Sequence, residues 1–111
     1  MNIDLISPDP TVVESIAKDP LVYKGRIPLA TSAQVYRAGL AAKVIINQLT
    51  IPCLLVHSKN DTIALPPARS ELSEHIELKL FKNLRHNCID GVMREAAVSR
   101  RTITKFIVDK L

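Results

Sequence analysis

Asp61 and His86 each stand a few residues beyond a short apolar run, at Cys53–Val56 and at Leu78–Phe81. An aspartate that fixes the tautomer of a histidine and stabilises its imidazolium supplies two members of a nucleophile–base–acid triad. Histidine is the side chain whose unperturbed pKa suits proton transfer near neutrality. Taken alone, a turn aspartate commonly bonds its own backbone and a loop histidine is commonly exposed and inert. It is the shared placement after successive apolar runs that singles the pair out. Cys88, two residues after His86, offers a second nucleophilic chemistry, but a thiolate needs a lowered pKa and a base aimed at it, and neighbours in one loop rarely meet that way. His57, Asp61, His86 and Cys88 contain the donor types of a metal site without a C-x-x-C or H-x-x-x-H spacing to support one. His75 is simplest as a surface residue near the negative end of a helix.

The elements that must position these residues follow from pattern. The uncharged block Cys53–Val56, between Pro52 and the polar run 57–61, predicts a strand buried on both faces. Such strands belong to parallel sheets, where ligands and catalytic groups collect beyond the carboxyl ends. Glu77–Phe81 alternates apolar and charged residues and predicts a second strand, placing Asp61 and His86 at one sheet edge. Asp9-Pro10 reads as a cap and first position of a helix that stops before Asp19-Pro20. Residues 21–29 read as a loop. Thr31-Ser32-Ala33-Gln34 has a capping-box pattern ahead of a helix with Val35, Ala38, Ala42, Ile45 and Leu49 on one face. Pro66-Pro67 is expected to open a helix through Ala68, Leu72 and His75, and residues 92–111 form the longest helix candidate. Its expected stripe is Val92, Ala96, Ile103, Phe106, Ile107 and Leu111. Helix, strand, helix, strand, helix is the rhythm of a crossover α/β unit.

The 111 residues suit one domain, with 47% apolar and 23% charged residues. Aromatics are 4% with no Trp, so the core must be aliphatic. A net charge of +4 invites a nucleic-acid reading, yet no zinc spacing or aromatic stacking surface accompanies the basic residues near the C-terminus. A solvated basic helix face accounts for them, and no nucleic-acid partner is expected. Two cysteines make no disulfide framework, no run approaches a transmembrane span, and the N-terminus lacks the pattern of a signal peptide. A cytoplasmic location is therefore expected, peripheral at membranes if the substrate is a lipid.

Residues 52–66, PCLLVHSKNDTIALP, resemble the late strand and acid loop of the α/β-hydrolase family, in the branch of monoacylglycerol lipases and lysophospholipases. Ser7–Pro10 with Asp19–Gly25 is similar to the end of that branch's cap, Leu78–Phe81 with His86 to the last strand and histidine loop, and 92–111 to the closing helix. The resemblance implies a partial α/β-hydrolase fold: residues 1–30 as the end of a cap, and 31–111 as the C-terminal part of the core with its last two parallel strands. It implies Asp61 as triad acid, His86 as base, no cofactor or metal, and a lipid-like ester of the acylglycerol or lysophospholipid class as substrate. Two positions depart from the branch's usual pattern: Ser58 where Gly is common, and Asn87 where an acidic residue is common. The nucleophile is not encoded here. G-x-S-x-G needs glycines flanking the serine, whereas Gly25, Gly39 and Gly91 are far apart and no serine has that context. The family order of serine, acid, histidine implies a nucleophile upstream of residue 1, and no turnover by this chain alone. The competing expectation is a non-enzymatic remnant or interaction module that pairs with another polypeptide through an exposed sheet edge.

Overall fold

The computed structural model describes residues 2–111. Helix α1 covers Pro10–Lys18, α2 covers Leu29–Ile46, strand β1 covers Cys53–Ser58, β2 covers Ile76–Phe81, and α3 covers Arg94–Lys110, with single turns of 3-10 helix at Ile3–Leu5 and Arg69–Glu71. The two strands pair in parallel from Cys53 opposite Ile76 to Ser58 opposite Phe81. Helices flank this pair. Leu54 and Val56 share a cleft with Ile103 and Phe106 of α3. Leu55 and His57, on the opposite face by strand alternation, border a cleft with Gly39, Ala42 and Ile46 of α2.

Caps set the ends of the elements. Asp9 accepts from Thr11 N at 2.9 Å, and Pro10 occupies the first turn of α1, where a missing N–H costs nothing. The helix ends at Lys18 because Asp19 precedes Pro20 and is extended, with ψ 116°. α3 starts at Arg94, two residues later than the sequence suggests, since Gly91 takes φ +99° and breaks the helical run before it can begin. Its inward stripe is buried Ala96 and Ser99 with half-buried Ile103 and Phe106, at helical spacing, whereas Val92, Ile107 and Leu111 are exposed.

Several sequence expectations are corrected. α2 begins at Leu29 with Pro28 at the cap position, and the Ser32 hydroxyl donates to Pro28 O at 3.4 Å, so Thr31–Gln34 lies inside the helix and is no capping box. Leu29 and Ala30 are good helix formers that extend the first turn back to the proline. Its expected face, Val35 to Ile45, is exposed, and Leu49 lies beyond the helix end. α2 is apolar on most sides and is tied to the body mainly at its C-terminal end. There Lys43 Nζ meets Glu71 Oε1 at 2.6 Å, while Asn47 donates to Glu71 O at 2.8 Å and accepts from Ser73 N at 2.9 Å. Pro66-Pro67 opens no helix. Leu72 is extended, and Arg69 donates to Ser73 O at 3.2 Å, so the segment turns once and runs on into β2. β1 is two residues longer than expected and half-buried, because among the described residues it has a neighbour strand on one side only.

Candidate active site

Asp61 begins the loop that follows β1, and its carboxylate is buried at 2% exposure. The loop folds round it: Oδ1 accepts from Ile63 N at 2.8 Å and Ala64 N at 3.0 Å. Those two bonds form an Asx-type turn, the ordinary reason for an aspartate here. Oδ2 remains for a second task. It lies 2.8 Å from His86 Nδ1, in the loop that follows β2, so Nδ1–H donates to the carboxylate. The two residues are thus brought together by parallel pairing, which sends both strand ends to the same edge.

Burial pushes the Asp61 carboxyl upward, but the Ala64 amide, the His86 imidazole and the Ile63 amide together outweigh it and hold the group below the usual aspartate value. It is therefore ionised at neutral pH. With its proton committed at Nδ1, His86 keeps Nε2 as an acceptor, and its side chain is 43% exposed. That is the arrangement a general base needs: a fixed tautomer, a stabilising anion behind, and an open lone pair in front. The pair borders a cleft of about 460 Å³ whose walls include Ile6, Val56, Cys88 and Ile89.

His57 adds a feature the sequence does not disclose. Its Nε2–H donates to Ala64 O at 2.8 Å and lies 3.2 Å from Asp61 Oδ2. His57, Asp61 and His86 do converge, but both imidazoles point protonated nitrogens at the site, which suits a carboxylate and not a metal ion. Cys88 borders the same cleft. Burial and the Asp61 charge push its thiol pKa up, the opposite of an activated nucleophile. His75 lies just before β2 and passes its carbonyl to Cys53 N at 3.1 Å, far along the strands from this edge.

Ser58, the departure from the common glycine, is fully buried at the end of β1. Its hydroxyl donates to Leu84 O at 2.5 Å and accepts from Asn60 N at 3.0 Å, joining the two loops that carry Asp61 and His86. Asn87, the other departure, accepts from Ile89 N at 3.0 Å and Asp90 N at 3.1 Å and shapes the histidine loop from within. The available signal for Ser58 was its place at the strand end; its partner could be known only from the path of the second loop.

Residues 1–90 match the family model Hydrolase_4, described as serine aminopeptidase, S33. A monoacylglycerol lipase from Mycolicibacterium smegmatis (strain ATCC 700084 / mc(2)155) is 28% identical across 100% of this chain and 41% of its own length. The crystal structure of Paleococcus ferrophilus monoacylglycerol lipase matches the fold with a TM-score of 0.85 at 22% identity, over 100% of this chain and 44% of that one. The chain spans less than half the length of each of these two relatives.

Proposed function

This chain belongs to the Hydrolase_4 family (serine aminopeptidase, S33), and on that premise we propose that Asp61 and His86 are the acid and general base of a serine hydrolase. Its substrates are carboxylic esters of the acylglycerol or lysophospholipid class, and its nucleophilic serine comes from outside these 111 residues. The observation that carries the proposal is the 2.8 Å contact from His86 Nδ1 to a buried, ionised Asp61. His86 Nε2 takes the serine proton as the serine oxygen attacks the ester carbonyl. The imidazolium, stabilised by Asp61, then protonates the departing alcohol, leaving an acyl-serine. Water repeats the cycle, giving its proton to Nε2 and releasing the acid. The apolar walls of the cleft, Ile6, Val56 and Ile89, suit an acyl or glyceryl portion better than a charged one. The names of the two relatives above favour esters over peptides as the bond cleaved.

The test is a chimera in which this chain replaces the matching C-terminal portion of the Paleococcus ferrophilus enzyme. Hydrolysis of a monoacylglycerol that is lost with His86→Ala supports the assignment; a folded chimera whose turnover survives His86→Ala overturns it. The 111 residues alone, lacking G-x-S-x-G, are expected to hydrolyse no p-nitrophenyl ester. A second reading, a non-catalytic module pairing with another polypeptide, is favoured by one observation: α2 is largely exposed although apolar. A folded chimera inactive toward every ester offered would bring that reading forward.

A further inference from the structure

The histidine loop is held from outside by the first described residues. Segment 4–9 runs beside segment 85–92 in the same direction, tied at four points. The Arg85 guanidinium donates to Asp4 O, His86 N donates to Leu5 O at 3.5 Å, Asn87 N to Ile6 O at 2.7 Å, and Val92 N to Asp9 Oδ2 at 2.8 Å. The last tie is the one to which segment 4–9 contributes a side chain, and that side chain is buried at 2% exposure. Asp9 divides its carboxylate between two tasks. Oδ1 caps α1, accepting from Thr11 N at 2.9 Å and from Thr11 Oγ1 at 2.7 Å, while Oδ2 reaches across to the loop.

The neighbourhood is built for this approach. Gly91 sits at φ +99°, and a Cβ there would stand 2.4 Å from Asp9 Oδ2, so a side chain would displace the carboxylate. Buried Ser7 accepts from Asp9 N at 3.1 Å and fixes the backbone that carries it. Ile6, between the ties, is buried and forms a wall of the cleft beside His86. On its other flank the loop is held by Ser58 at Leu84 O and by Glu95 at Asn83 N, both ahead of the histidine. Within residues 86–92, Arg100 of α3 donates to Ile89 O and Gly91 O, and segment 4–9 supplies the backbone ties next to the histidine at His86 N and Asn87 N and the side-chain tie at Val92 N.

We propose that segment 4–9 is a strap that positions His86 against Asp61, and that Asp9 is its positioning residue, a role that rests on the acid–base assignment above. Asp9 acts through Val92 and touches no reacting atom. Its two tasks can be separated by substitution. Asparagine caps a helix as well as aspartate does, through its carbonyl oxygen. Its amide nitrogen, a donor, would then face the Val92 N–H and cannot accept from it. Asp9→Asn thus keeps α1 and removes the Val92 tie while leaving the Arg100 bonds to Ile89 O and Gly91 O in place.

The experiment is ¹⁵N NMR on the whole 111-residue chain. In the unmodified chain the Asn87 and Val92 amides should exchange roughly tenfold or more slowly than those of the open loop 24–27, and His86 Nδ1–H should give a downfield proton protected by Asp61. Asp9→Asn should abolish the Val92 protection and broaden or shift the His86 Nδ1–H signal, with the amides of Val13 to Ile16 unmoved; Gly91→Ala should do the same from the other side. If Asn87 and Val92 in the unmodified chain exchange as fast as the open loop, the strap is overturned without recourse to any variant. An unchanged His86 signal in Asp9→Asn overturns the role of Asp9. Asp61→Asn separates the two levels of inference. A His86 signal indifferent to Asp61→Asn sinks the acid–base assignment, whereas one that answers to Asp61→Asn but not to Asp9→Asn sinks the strap alone.

Discussion

Asp61 is the residue on which both the loop and the chemistry depend, because one buried carboxylate serves two backbone amides and an imidazole. Asparagine at this position can keep the amide bonds but presents a neutral group to His86. In the active chimera, Asp61→Asn is expected to lower kcat by roughly 10³- to 10⁴-fold with little change in KM, as loss of tautomer control does in a triad. A drop of less than about tenfold would remove Asp61 from the mechanism. The same carboxylate links stability to acid. Its folded pKa lies below the unfolded value of about 3.9, so its contribution is complete above that value and is lost as pH falls through the folded one. The urea midpoint of the native chain should therefore exceed that of Asp61→Asn near neutrality, and the gap should close between about pH 5 and pH 2. A gap constant over that window would contradict the charge-based origin. The pairing of Asp61 with His86 was legible in the sequence because each follows one of two successive strands. The second histidine was not. His57 meets Asp61 only because the acid loop doubles back to put Ala64 O beside its ring, a path that no spacing rule encodes.

At the scale of the elements, the two strands and the helices α1 and α3 could be read from periodicity, proline placement and caps, since local chemistry determines them. The start of α2 was misplaced because Leu29 and Ala30 carry the helix back to Pro28, and the segment after Pro66-Pro67 because tertiary ties override local signals there: Glu71 and Ser73 bond Asn47, and Arg69 holds Ser73 O. Two buried hydroxyls make the difference testable. Ser58 joins the ends of β1 and β2, and Ser58→Ala would leave Leu84 O and Asn60 N without a partner in a dry place. A loss of about 1–3 kcal/mol in urea unfolding is expected, from the cost of stranding buried polar groups. An unchanged midpoint would mean that water reaches the loop junction. Ser99 is the opposite case. It is fully buried on α3 and its hydroxyl makes no hydrogen bond among the described residues. Ser99→Ala should then stabilise the chain by up to about 1 kcal/mol, since a desolvated hydroxyl is removed and helix propensity improves. Destabilisation would show that Ser99 has a partner after all.

The molecule as a whole is looser than its size warrants. Its radius of gyration is 15.5 Å, where a compact chain of this length has roughly 13 Å. Its accessible surface is 8090 Å², against roughly 6,100 Å² for a folded monomer of 12.3 kDa. The excess, about 2,000 Å², is as large as a stable protein–protein interface. Much of it is apolar and belongs to α2, where Val35, Leu40, Val44 and Ile45 are each more than half exposed. β1 adds an apolar strand with an unpaired edge among the described residues, a known template for association. The exposed strand edge was expected from the sequence, but the bare face of α2 was not, because α2 carries apolar residues on most of its faces and pattern alone cannot say what should cover them. The surface predicts behaviour. The purified 111-residue chain should show a mass by light scattering above 12.3 kDa that rises with concentration. Replacing Leu40 and Val44 with lysine should shift it back toward monomer, because two charges on the exposed face oppose burial without touching the Asp61–His86 edge. High salt should not disperse the native chain, since screening weakens ionic contacts and leaves apolar ones. A monodisperse 12.3 kDa species at about 100 μM, well within the range where exposed apolar surface drives association, would show instead that the excess area is tolerated in water.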